Sequence, residues 1–306
     1  MATLKGENLR ILTFDATAGK WKVLGMSTSC SVTLNTNADD SGTKDDVGMA
    51  AKPTVNSKSW QVSVDTLNVV DAAAMLTAIK NLTPFTLLWD ETSTTNNQTA
   101  LKAAFARKGS AFLSDLTLTF NDRENAAKSL QFTGSGELAK VTQDTITTEE
   151  IASGDYSKGQ FTRLFLGSDN SAVPAAVIAG ARQLSLHVSM SLENSSTKDT
   201  VGDWDIQEPT ALNFDITTSA LIRSGETITS QVPGKTLAEL EDIYEASLPV
   251  KFQIANVSGD NQRTKGTVLI SGSVIIATLT QNGPNKKNAD YTANLTGYGI
   301  YSVGAA

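Results

Sequence analysis

Histidine and cysteine are almost missing from this chain, whose 306 residues include one of each, His187 and Cys30. A lone cysteine excludes an intramolecular disulfide and fits assembly in a reducing compartment. The lone histidine has no readable Ser/His/Asp arrangement around it. Aromatic residues make up only 6% and tryptophan only four positions, few rings for a carbohydrate platform. Basic charge is short as well: 25 Lys and Arg stand against 32 Asp and Glu, a net charge of −7. That balance argues against a nucleic-acid-binding surface, which needs clustered cations, and suits a surface that must not stick to DNA. No apolar run approaches the roughly 18 residues of a membrane helix. The opening MATLKGENLR has no apolar h-region, so no secretory signal is expected.

Serine, threonine, asparagine and glycine are abundant, and the chain is 40% hydrophobic and 19% charged. That is the make-up of a soluble protein rich in strands and turns, long enough for one large or two ordinary domains.

The organising stretch is Ser29 to Asp65, because it occurs twice. Cys30, Val32 and Leu34 alternate with Ser31, Thr33 and Asn35; a polar loop carries TKDDVG; then Trp60, Val62 and Val64 alternate with Gln61, Ser63 and Asp65. Moved by 154 positions (198 − 44), the pattern returns as Leu184, Leu186 and Val188, TKDTVG, Phe214 and Ile216. A second ungapped register at 163 positions (297 − 134) matches GSG at 134–136 with GYG at 297–299, Leu116 with Leu279 and Phe132 with Leu295. Two copies of one mainly β fold follow, residues 1–140 and 163–306, with a polar linker at 141–162. Period-two alternation marks half-buried strands, and the turn signals between them imply a β-sandwich or small barrel. The expected strands are 9–14, 21–25, 27–36, 57–65, 85–89, 103–108, 112–120 and 128–138 in copy one.

One helix is expected per copy. Asp71 stands as a cap before Ala72, Met75, Leu76 and Ile79, at helical spacing. In copy two Thr236 and Glu239 form a capping-box pair ahead of Leu237, Leu240, Ile243 and Tyr244.

No catalytic, cofactor or metal site is expected. Asp39, Asp40, Asp45 and Asp46 fit no EF-hand spacing, and the second copy keeps only Glu193 and Asp199 of the four. Cys30 lies in the apolar register and reads as a core thiol, and His187 reads as an exposed or interface residue. GSG and GYG mark a bulge or close backbone approach, not a phosphate cradle. The polar connections 38–56 and 192–210 are too long for idle turns. The TKD shared by both is a remnant of the duplication or, on the sharper reading, gives Lys44 and Lys198 charge-assisted contacts to an adjacent subunit or domain; Asp39, Asp40, Asp45, Asp46, Glu193, Asp199 and Asp203 are expected in the same inter-subunit or inter-ring loops.

TSCSVTL, a polar loop with TKDD, KSWQVSVD, and GSAFLSDLTLTF leading by a hairpin to LQFTGSGEL resemble, in that order, the major tail tube proteins of long-tailed bacteriophages. The likeness spans the first copy and, more loosely, the second. It implies sandwich domains with a flanking helix and a long hairpin loop, arranged six to a ring, with rings stacked into a conduit for double-stranded DNA. Two domains per chain would then make a homotrimer, a pseudo-hexamer. The polar strand registers would face the lumen: Ser29, Ser31, Thr33, Asn35, Ser59, Gln61, Ser63 and Asp65 in copy one, and Ser185, His187, Ser189, Asn213, Asp215 and Thr217 in copy two. The implied partners are the chain itself and tail terminator, baseplate and tape-measure proteins, with no membrane; the implied location is the virion tail, assembled in the bacterial cytoplasm. The rival readings are the inner tube of a contractile tail or injection system and a tandem carbohydrate-binding or adhesive sandwich.

Overall fold

The computed structural model describes residues 9–16, 19–24, 27–42, 45, 52–67, 71–91, 106–141, 157–200, 202–222, 234–258 and 264–304. The first copy holds β1 (Leu9–Asp15), β2 (Lys20–Val23), β3 (Ser27–Asp40), β4 (Pro53–Thr66), α1 (Ala72–Lys80), β5 (Phe85–Glu91), β6 (Arg107–Asn121) and β7 (Ala127–Lys140). The second holds β8 (Thr162–Leu166), β9 (Ala176–Ile178), β10 (Ala181–Asn194), β11 (Gln207–Leu221), β12 (Gly234–Lys235), α2 (Leu237–Ala246), β13 (Val250–Ser258), β14 (Thr264–Asn282) and β15 (Asp290–Val303). The protein is mainly β, as expected. Most of the expected linker lies outside the described residues.

The alternation seen in the sequence decides which face each strand buries. On β4, Trp60, Val62 and Val64 are buried while Ser63 and Asp65 are exposed. A slip of one residue would put all three apolar side chains in water at about 2 kcal/mol each, so the register is fixed.

The two copies do not close separately. All 15 strands belong to one hydrogen-bonded network. Within it β3, β4, β7, β6, β10, β11, β15 and β14 run in that order as an antiparallel sheet, crossing from copy one to copy two where β6 pairs with β10. The long strands β6 and β14 turn the corner into a second layer. Residues 107–111 of β6 pair with β5, which leads to β1 and β2. Residues 264–274 of β14 pair with β13, which leads to β8, β9 and β12. One apolar cluster between the layers includes Trp60, Phe132 and Leu116 of copy one and Phe214, Leu295 and Phe252 of copy two.

The duplication holds at the level of individual pairs. Leu34 pairs with Trp60 as Val188 does with Phe214. Leu116 pairs with Leu130 as Leu279 does with Ala293. Even the irregularities recur, between Leu113 and Asp115 in β6 and between Ile276 and Thr278 in β14. A bulge adds local twist and bends its strand, so both corners bend at one place.

Gly134 and Gly297 mark close approach, as read from the sequence: a Cβ on either would overlap the ring of Trp60 or Phe214. Gly136, at φ +80°, offers its carbonyl to Trp60 Nε1 at 2.9 Å.

Four local expectations need correcting. The first hairpin has longer arms than the alternation marks, running to Asp40 and resuming at Pro53; both faces are exposed there, so no apolar period survives. From Arg107 on, the expected strands 103–108 and 112–120 are one, β6, because Gly109 is a contact with Trp60 and not a break; residues 103–105 lie outside the described residues. Asp71 makes no side-chain cap on α1; it pairs with buried Lys128. Cys30 is only half-buried, since β3 is an edge strand, with its thiol 3.5 Å from the Leu9 carbonyl. The capping box of α2 forms as expected, Thr236 with Glu239. Helix α1 reaches across the copies, its Leu76 carbonyl accepting from the Tyr301 hydroxyl at 2.8 Å.

Candidate assembly surface

Away from the corners, the face of the eight-strand sheet turned from the core is lined mainly by polar side chains. Asp65 accepts from Ser29 at 2.6 Å and from Ser129 at 2.7 Å. Asn294 accepts from Thr217 at 2.9 Å and donates to Thr278 at 2.8 Å. Ser31, Thr33, Asn35 and Ser63 are exposed, as is Asn213; Ser59, Gln61, Ser185, Ser189, Asp215 and Thr217 are half-exposed. All the side chains expected in a polar register therefore share this one face. The same face carries Asp115, Thr117 and Thr119 from β6 and Thr292, Asn294 and Thr296 from β15. Sequence reading did not name these, although period-two alternation was available there too. None of these positions is Lys or Arg.

His187 sits where the copies meet. Its Nε2 lies 2.6 Å from Asp115 of β6 and its Nδ1 4.0 Å from Asp215 of β11. Thr117 is its partner across the β6–β10 pairing.

The loop residues divide. Asp39 binds the Asn56 amide across the first hairpin. Asp40 accepts from the backbone N–H of Gly42 at 2.9 Å and of Lys52 at 3.1 Å, which holds its carboxyl below the ordinary aspartate value. Asp45 lies in a turn; Lys44 and Asp46 lie outside the described residues. In the second hairpin Glu193 is exposed and faces Glu208. Lys198 and Asp199 occupy a turn closed by the Thr200 N–H on the Thr197 carbonyl at 3.0 Å. Asp203 pairs with Lys58 of the first copy at 3.1 Å.

The sheet ends on two edges without a strand partner among the described residues. One is the outer edge of β3, which pairs only with β4; the other is residues 275–282 of β14, which pair only with β15. These are the repeats of the two strands that meet inside the chain. β10 pairs with β6 through Leu186 to Leu118, His187 to Thr117 and Val188 to Leu116. Shifted by 154 and 163 positions, those pairs become Val32 to Gln281, Thr33 to Thr280 and Leu34 to Leu279. Burial follows the difference: Leu186 and Val188 are buried, whereas Val32 is half-buried and Leu34 is 61% exposed.

No protein-family model and no characterised protein sequence matches the chain. Several solved structures resemble part of it, among them the following three. The tail of an empty gene transfer agent particle, refined with helical C6 symmetry, is 15% identical, with a TM-score of 0.34, over 47% of this chain and 95% of that one. The virion of a native gene transfer agent particle is 14% identical, at 0.34, over 49% of this chain and 99% of that one. The SPP1 tail tube is 13% identical, at 0.35, over 47% of this chain and 78% of that one. Each likeness spans about half of this chain.

Proposed function

We propose that this chain is a structural virion protein that polymerises through its two open strand edges into rings, stacked as a tail tube through which DNA leaves. The carrying observation is the β6–β10 junction, a finished joint between two repeats whose two halves recur, unpaired, at the ends of the sheet. An exposed edge of this kind is a template for another strand. The complementary edge on the same molecule makes the contact head-to-tail, which either closes a ring or runs on as a filament.

Closure as a trimer suits the geometry. Each chain contributes eight strands to the sheet, so three would give roughly 24, spaced ~4.8 Å apart and tilted ~40°. The backbone diameter is then roughly 48 Å, wide enough for a duplex after side chains are subtracted. A barrel of about eight strands would be filled by its own side chains. In this reading the chain is two tube domains, 1–140 and 163–306, joined by the linker 141–162, and it is not an enzyme.

The polar face lines the bore. Short uncharged side chains with a few carboxylates and no cation offer phosphate nothing to hold, so DNA slides. Tail terminator, baseplate and tape-measure proteins are the partners such a tube requires, and its place is the virion tail, after assembly in the bacterial cytoplasm. A tube of the same ring design inside a contractile sheath is the second reading, told apart by a coaxial sheath subunit.

The test is negative-stain microscopy of the purified protein with native mass spectrometry of its smallest ring. Stacked rings of three chains are expected. A chain that stays monomeric at every concentration would sink the proposal.

A further inference from the structure

The hairpin tip between β10 and β11 does not stand free; it folds onto the first copy. Lys58 on β4 donates its N–H to the Asp203 carbonyl at 2.6 Å and accepts from the Asp205 N–H at 2.9 Å. Gly136 on β7 donates to the Asp205 carbonyl at 2.8 Å, and the Ser135 hydroxyl accepts from the Gln207 N–H at 2.9 Å. Trp204 packs against the core beside them. The seat for this tip is therefore residues 57–58 of β4 and 135–136 of β7.

The same seat exists on the second copy, at residues 211–212 of β11 and 298–299 of β15. There nothing among the described residues covers it. Tyr298 is 53% exposed and Ile300 is 70% exposed, while Leu212 on β11 is half-buried against the edge of the core. Large apolar side chains grouped in solvent mark a contact surface. The first copy has Ser135 and Glu137 at the corresponding positions.

We infer that the Tyr298, Ile300 and Leu212 seat receives the β3–β4 hairpin of a second copy of this chain. The occupant is argued from paired changes. The internal latch joins Ser135 to Gln207; the residues that would meet between chains are Tyr298 and Pro53. Proline has no N–H to give and tyrosine at this place no short hydroxyl to receive it, but ring packs on ring. The internal latch also carries the Lys58–Asp203 ion pair. Between chains Leu212 stands where Lys58 stands inside, so the cation of that pair is exchanged for an apolar side chain. A polar latch inside the chain is thus matched by an apolar one outside it, with Pro53 and Val55 exposed on β4 to supply it.

This seat rests on the ring proposed above, and the experiment separates the two. In a Cys30→Ala parent, Pro53→Cys chains are mixed with Tyr298→Cys chains, assembled and oxidised. In the internal counterpart the Gln207 N–H lies 2.9 Å from the Ser135 hydroxyl, an approach of the two backbones close enough for a disulfide to span. Linked dimers are expected from the mixture and from neither variant alone. Tubes that form without linked dimers overturn the seat and leave the ring. A parent that never assembles overturns both. The separate variant Tyr298→Ser with Ile300→Ser is expected to remain folded and to raise the critical concentration for assembly at least tenfold, and assembly at the parental concentration would overturn the seat.

Discussion

Leu34 and Val188 hold the same place in two repeats of one strand, each opposite an aromatic residue, yet Leu34 is 61% exposed and Val188 is 0% exposed. The difference is the strand on the outer side: β10 has β6 there, and β3 has no partner there among the described residues. Leu34→Asp should therefore give a folded monomer that no longer polymerises, with a melting temperature within ~2 °C of the parent, since an exposed substitution is close to neutral. Val188→Asp buries an unpaired charge and should cost more than about 4 kcal/mol or prevent folding. Sedimentation and thermal melts read both outcomes, and a polymerising Leu34→Asp chain would remove β3 from the joint.

Cys30 offers a chemical readout of the same edge. Burial pushes its thiol pKa up, partly offset by Arg10. The thiolate is the reactive form, so maleimide labelling at neutral pH should be slower than for a free thiol. Assembly should slow it further, about tenfold or more, because the corresponding Leu184 inside the chain is buried. Equal rates before and after assembly would contradict the pairing.

Gly134→Ala sets a Cβ into the Trp60 indole. Trp60 is fully buried and cannot swing away, so a cost of about 2–3 kcal/mol is expected from overpacking. Gly297→Ala against Phe214 should behave alike, and urea denaturation measures both.

Lys128 lies buried against Asp71, its side chain 1% exposed and that of Asp71 36%. Burial lowers its pKa, with Asp71 acting in the opposite sense. Because the folded-state value lies below the unfolded one, the unfolded chain binds the extra proton between them. The cost of burying the charge is thus full below the folded value and is relieved as pH rises toward the unfolded value. The stability of the parent relative to Lys128→Met should increase between pH 7 and pH 10. Asp71→Ala should cost on the order of 2 kcal/mol by stranding the cation. Tyr291 holds the corresponding place in the second copy, buried and uncharged, so Lys128→Met should fold.

Gln131 lies on the polar face between Ser63 and Asp115. Gln131→Lys should leave assembly intact and give tubes that retain duplex DNA at low salt and release it at high salt. Filter binding across a salt series checks this; tubes that never retain DNA would place that face away from the bore.

Much of this was legible in the sequence because alternation is local. It placed Trp60 inside and Gln61 outside, and the matched glycines gave away the packing of Trp60 and Phe214. What failed has physical reasons as well. Residues 38–40 and 53–56 are strand, but with water on both sides they carry no period. Asp71 looks like a cap because its only competitor, Lys128, is distant in the chain. The β6–β10 pairing leaves no local mark, since the residues that meet there obey the same alternation as those that stay bare. The TKD shared by both loops drew attention to Lys44 and Lys198, while the polar latch it accompanies runs through Lys58, Ser135 and Asp205, whose partners lie in the other copy.

One finished joint inside each molecule also alters how a closed ring would nucleate. Half of its seams are tethered, so they form at an effective concentration set by the chain and not by dilution. Only the alternate seams depend on collision, and dissociation would proceed through them alone. Such a ring should come apart into intact whole molecules long before any repeat is torn from its twin.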